Sequence, residues 1–170
     1  KKLKKLSNKN TTITDKMPPN FKYVGLICSA FPDAKIVHVK RNSAATCWAN
    51  YKQHFTTKSL GYSYDLNDLI TYYGLYQNLM KFWEEQYGDR IYTLNYETLT
   101  INQEDETRKL IQYLDLKWEQ ECLSPQNNKR NVSTSSSSSK QIRQKVYQDS
   151  SLKWKKFEPF LNGAFNQLDD

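Results

Sequence analysis

Residues 12–55 read TITDKMPPNFKYVGLICSAFPDAKIVHVKRNSAATCWANYKQHF, and this stretch decides the fold. It holds two short β-type runs, each ending in a basic residue and leading into a helix-type segment. The first is Thr11-Thr12-Ile13-Thr14, closed by Asp15-Lys16; the second is Lys35-Ile36-Val37-His38-Val39-Lys40-Arg41. β-Branched enrichment and Pro/Asn punctuation predict a strand at each. Between them Phe21, Val24, Leu26, Ile27, Ala30 and Phe31 recur at helical spacing, and Pro32-Asp33 supplies the turn that ends the segment. A β-α-β-α order predicts the α/β class, a parallel sheet with helices on its faces. Ligands of such sheets bind beyond the carboxyl ends of the strands, where Lys16 and Arg41 are both expected. Two cations at one crevice suit an anionic ligand. Basic residues at strand ends are also common and mostly solvated, so the pattern alone leaves both readings open.

Working outward, Asn42-Ser43 offers an N-cap to a short helix over 44–55, whose N-terminus adds partial positive charge at the same crevice. Lys58–Asp65 reads as a loop, with Tyr62 and Tyr64 more suited to packing than to stacking on a base. Leu66, Leu69, Ile70, Tyr73, Tyr76, Leu79, Met80 and Trp83 fall at i, i+3, i+4 spacing and predict a long amphipathic helix from Leu66 to Tyr87, stopped by Gly88-Asp89. Ile91–Tyr96 predicts a third strand. Asp105–Leu114 predicts another amphipathic helix. The segment from Lys129 to Lys156 is basic around the serine tract Ser133–Ser139, and reads either as a flexible linker or as a hydroxyl-rich wrap for a phosphate. Lys155–Leu168 predicts a closing helix pair burying Phe157, Phe160, Leu161, Phe165 and Leu168. The amino-terminal segment 1–10, KKLKKLSNKN, reads as the frayed end of a helix.

The 170 residues suffice for one domain with a real core, here taken as residues 1–170. Hydrophobic residues make up 38% and aromatics 14%, a globular composition. No run approaches the ~20 apolar residues of a membrane span, and no signal peptide is visible. The net charge of +7 favours anionic partners without choosing among them. Cys28, Cys47 and Cys122 lack metal spacing and form an odd set. Cys28 and Cys47 lie within helical apolar patterns and read as small buried hydrophobes in a reducing, cytoplasmic setting, and no metal is expected. The five glycines are scattered, so no glycine-rich phosphate cradle is present. Basic stretches at both ends allow a nucleic-acid-binding module. Aromatics at core-like helical spacing and the lack of a recognised motif speak against it.

Asp15-Lys16-Met17-Pro18, the helix after it, Phe31-Pro32-Asp33-Ala34 and Lys40-Arg41-Asn42, in this order and spacing, resemble the sulfotransferase superfamily. The nearest branch holds tyrosylprotein sulfotransferases and bacterial sulfotransferases with tetratricopeptide repeats. The resemblance runs from about Asp15 to the C-terminus, through Tyr62-Ser63-Tyr64-Asp65, Tyr96-Glu97 and Gln141-Ile142-Arg143-Gln144. It implies a P-loop-NTPase-like sulfotransferase fold and transfer of a sulfuryl group from 3′-phosphoadenosine 5′-phosphosulfate to a hydroxyl acceptor, such as a tyrosine in an acidic peptide or a glycan.

The resemblance also implies roles. Lys16 would stabilise the leaving group, Arg41 would hold the 3′-phosphate, and Tyr96, Ser138 and Lys153 would contact the donor, Ser138 with a catalytic part as well. The family's second 3′-phosphate residue, a serine, falls on Ala49 here, with Ser43, Thr46 or Asn50 as substitutes. The segment ahead of Lys16 is too short for the family's strand–loop–helix that grips the 5′ end and for its general base. The expectation is therefore a C-terminal portion of a sulfotransferase domain without turnover on its own, with a degenerate nucleotide-binding relative as the alternative.

Overall fold

The computed structural model describes residues 12–127 and 144–169. The chain divides into a unit Lys1–Ala34 and a larger unit Lys35–Asp170. The basic segment 1–10 and the serine tract Ser133–Ser139, with Ser138, lie outside the described residues.

In the first unit, residues 12–17 carry no regular structure. The strand expected at Thr11–Thr14 is therefore not formed over its described part. β-Propensity expresses fit to a half-buried pleated surface, and Ile13 is 45% exposed. The local bonds favour a turn instead: the Asn20 side-chain amide donates to Asp15 Oδ2 at 2.8 Å, and Pro18-Pro19 begin a 3-10 helix, Pro18–Tyr23. Helix α1, Val24–Ala30, follows, with Val24 and Cys28 buried at i, i+4.

In the second unit, β1 (Ile36–Lys40) and β2 (Ile91–Asn95) form a parallel pair, in register from Ile36 opposite Ile91 to Lys40 opposite Asn95. Parallel strands need a long crossover. Here it comprises α2 (Ser43–Tyr51), a 3-10 helix (Lys58–Tyr64), α3 (Leu66–Tyr87) and a 3-10 turn (Gly88–Arg90). Two further helices follow β2: α4 (Tyr96–Ile101) and α5 (Gln103–Tyr113). The architecture is thus mixed α/β, a two-stranded parallel sheet flanked by helices.

Each strand-to-helix junction is set by an asparagine. Asn42 Oδ1 accepts from the Ala45 N–H at 2.9 Å and caps α2; Asn95 Oδ1 accepts from the Thr98 N–H at 2.8 Å and caps α4. Asp65 caps α3 in the same way, accepting from the N–H groups of Asn67 and Asp68. At the opposite end, the Tyr113 hydroxyl donates to the Arg90 carbonyl at 2.6 Å and also lies 3.4 Å from the Ile36 carbonyl, tying the strand starts together.

The core gathers Ala44 and Cys47 of α2, Leu69 and Tyr73 of α3, and Leu161 and Phe165 near the C-terminus. Leu161 directly follows the 3-10 helix Ser150–Phe160 and Phe165 lies in the next, Ala164–Gln167, the two being joined across left-handed residues Asn162 and Gly163. That reversal turns both Leu161 and Phe165 inward. The expected burial of Phe157 and Phe160 is not observed: they are 44% and 79% exposed. The inward positions assumed an α-helical period, whereas this segment winds at three residues per turn and contains Pro159. Phe157 stacks on Trp48 with centroids 4.5 Å apart.

Candidate functional site

The carboxyl ends of β1 and β2 border a cavity of about 230 Å³ lined by Lys40, Arg41, Asn42, Asn95 and Glu97. Its placement follows from topology. Both strands run the same way, and both chains turn sharply into capped helices at that edge. Arg41 and Asn42 therefore meet Asn95 and Glu97 across a gap of more than fifty positions.

The Arg41 guanidinium is held at two points. Nε donates to Ser151 Oγ at 3.1 Å, and Nη2 donates to the Ser150 carbonyl at 2.9 Å. Its plane also lies 5.2 Å from the Tyr96 ring centroid, within cation–π range. Tyr96 Oη and Ser150 Oγ share a hydrogen bond of 2.9 Å. Glu97 Oε1 accepts from the Asn42 backbone N–H at 3.2 Å and from the Ser151 hydroxyl. Arginine has five N–H donors in a rigid fork. Nη2 also lies 3.5 Å from Ser150 Oγ, so with Nε and Nη2 both engaged, Nη1 remains for a ligand.

A second polar cluster lies between the sheet and α3. His38 Nε2 meets the Tyr76 hydroxyl at 2.5 Å, and Nδ1 lies 3.7 Å from Glu84 Oε1. The Thr93 hydroxyl donates to Glu84 at 3.0 Å. Burial holds His38 below its usual pKa, opposed by Glu84 and assisted by Lys40. Burial pushes the Tyr76 phenol up to about 12.

A model of the Sulfotransferase family matches residues 1–120. The chain belongs to the sulfotransferase family. An "Uncharacterized protein" of Aquifex aeolicus (strain VF5) is 35% identical over 168 residues, which cover 98% of this chain. This chain spans 22% of that relative's length.

Of the residues the sequence nominates, the sulfotransferase fold brings Arg41 and Tyr96 together. Lys153 is exposed, with its ammonium 5.0 Å from the Tyr147 ring centroid. Lys16 lies in the first unit, exposed on the irregular segment 12–17. Ser138 lies outside the described residues. Two hydroxyls unforeseen from sequence, Ser150 and Ser151, stand beside Arg41, together with Glu97. The available signal was the missing serine at Ala49, which called for a hydroxyl from elsewhere. Their separation of 109 and 110 positions from Arg41 hid them. Among the described residues no group of His, Cys, Asp and Glu could hold a metal ion, and no helix is long and apolar enough to cross a membrane.

Proposed function

We propose that this chain forms the 3′-phosphate end of a donor site for 3′-phosphoadenosine 5′-phosphosulfate and serves sulfuryl transfer to a hydroxyl acceptor. The observation that carries the reading is Arg41. It is a guanidinium fixed over Tyr96 at the carboxyl edge of a parallel sheet, lining the cavity there with Nη1 still unspent, in a chain of the sulfotransferase family. The cavity is smaller than the ~300 Å³ lower limit of typical small-molecule sites. It fits a phosphoryl group and part of a sugar, not an entire nucleotide.

In this reading Arg41 binds the 3′-phosphate through charge-assisted bonds, and Lys40, lining the same cavity, adds a second cation. The Tyr96–Ser150 hydroxyl pair stands beside the guanidinium. The donor nucleotide provides the sulfuryl group. The family resemblance assigns Lys16 to charge on the leaving oxygens and Ser138 and Lys153 to contact with the donor. The resemblance to tyrosylprotein sulfotransferases and the net charge of +7 favour an acidic, tyrosine-containing peptide as acceptor. A glycan bearing acidic groups fits the same surface charge.

Calorimetry with adenosine 3′,5′-bisphosphate tests the site without requiring turnover. Binding in the micromolar range is expected, weakened at least tenfold in Arg41→Ala, a loss of ~1.4 kcal/mol or more. Equal binding by the variant would remove Arg41 from the site and end this reading.

A further inference from the structure

We propose that Glu97 is a positioning residue for Arg41, acting through the hydroxyl of Ser151, and that it works as a hydrogen-bond acceptor and not through its charge. The proposal rests on Arg41 being the phosphate anchor. A serine hydroxyl has one proton and two lone pairs. The Ser151 proton is committed to Glu97 Oε1, so only lone pairs face Arg41, and Nε–H donates to one of them. The same Glu97 oxygen also accepts from the Asn42 N–H, which fixes the carboxylate against the β1 end. The result is a relay from β1 through α4 to the C-terminal 3-10 segment and back to β1. It holds the guanidinium plane with its Nη1 side unspent.

Ser150, next door, holds Nη2 of the same guanidinium and also meets Tyr96. It and Tyr96 share one hydrogen bond between two hydroxyls, 2.9 Å long. Both serines hold the arginine, Ser151 through its hydroxyl at Nε and Ser150 through its carbonyl and hydroxyl at Nη2, but only the Ser151 hydroxyl is tied to Glu97. Glu97 also lines the cavity, where its charge opposes any phosphate. A neutral acceptor of the same shape retains the relay and removes the repulsion.

The test compares Glu97→Ala, Glu97→Gln and Ser151→Ala by NMR of the arginine Nε–H groups, with the Arg41 signal assigned from its loss in Arg41→Lys. Calorimetry with adenosine 3′,5′-bisphosphate accompanies it. Hydrogen exchange at Arg41 Nε is expected to quicken at least fivefold in Glu97→Ala and Ser151→Ala and to stay slow in Glu97→Gln. Affinity is expected to fall about tenfold in Glu97→Ala and to rise two- to fivefold in Glu97→Gln. In an Arg41→Ala background, Glu97→Ala should cost nothing further, a pattern that general loosening of the fold would not give. Wild-type exchange in Ser151→Ala, or Glu97→Gln binding as weakly as Glu97→Ala, overturns the proposal. Unchanged binding in Arg41→Ala would sink the anchor reading itself, while the exchange rates still decide whether Glu97 orients Arg41.

Discussion

Cys47 shows how far burial alone can set a residue's chemistry. Its side chain is 0% exposed in the core, and burial pushes the thiol up to about 12. The reactive species is the thiolate, so at pH 8 roughly one thiol in ten thousand is competent, behind a closed core. Cys28 is buried as well, while Cys122 is half-buried. Titration of the native chain with an aromatic disulfide reagent at pH 8 should therefore show one fast thiol. Glu121→Lys should accelerate that phase, since Glu121 neighbours Cys122 and the reagent is an anion. All three thiols should react after denaturation. Fast labelling of Cys47, mapped by peptide mass, would contradict the packing of α2. The sequence already indicated small buried hydrophobes at Cys28 and Cys47, because both sit within helical apolar patterns. Lys153 was less legible. Whether an exposed lysine reaches a nucleotide or a tyrosine ring depends on neighbours that spacing does not reveal.

At the scale of elements, β1 carries a titrating group inside its contact with β2 and α3. His38 faces Tyr76 and Glu84 of α3, Thr93 of β2, and the charge of Lys40 on its own strand. Its folded pKa lies below the unfolded value of 6.5. The unfolded chain therefore binds more protons between the two values, and stability rises with pH there. This contribution is fully present above about pH 6.5 and is lost as pH falls toward the folded pKa. Urea denaturation at pH 7.5 and 5.5 should show a larger drop in midpoint for the wild type than for His38→Gln. Equal drops would show that other groups govern the acid limb. α3 was the most legible element, since the apolar period and the Gly88-Asp89 stop are both local and agree on Leu66–Tyr87. The run Thr11–Thr14 was the least, because β-branched composition cannot supply a partner strand. The aromatic positions of 157 and 160 failed for another local reason: the helix type, and so its period, was not encoded in their spacing.

Across the whole molecule, the site is a consequence of core packing between distant segments. Arg41 and Tyr96 come to one edge because each directly follows a strand of the parallel pair; both runs read as strands from composition, while the β-α-β-α order had instead paired Arg41 with Lys16. Ser150 and Ser151 reach that edge only because the residues after them dock against α2 and α3. Phe165 is 6% exposed and meets the Trp154 ring edge-on at 5.7 Å; Leu161 is 5% exposed beside it. No motif announces this docking, which depends on the left-handed turn at Asn162-Gly163 and on the fit of two side chains into a core built elsewhere. Truncating Phe165 to Ala should cost about 3–5 kcal/mol of stability, the range for buried aromatics. Because that packing delivers Ser150 and Ser151, the same variant should bind adenosine 3′,5′-bisphosphate at least fivefold more weakly under conditions where it is still folded. Phe160→Ala, at a side chain 79% exposed, is the matched control and should change stability by less than about 0.5 kcal/mol. Chemical denaturation and calorimetry on the two variants measure both effects. A destabilised Phe165→Ala chain that binds the nucleotide as well as wild type would show that the serine pair is held at Arg41 by local bonds alone, independent of the C-terminal docking.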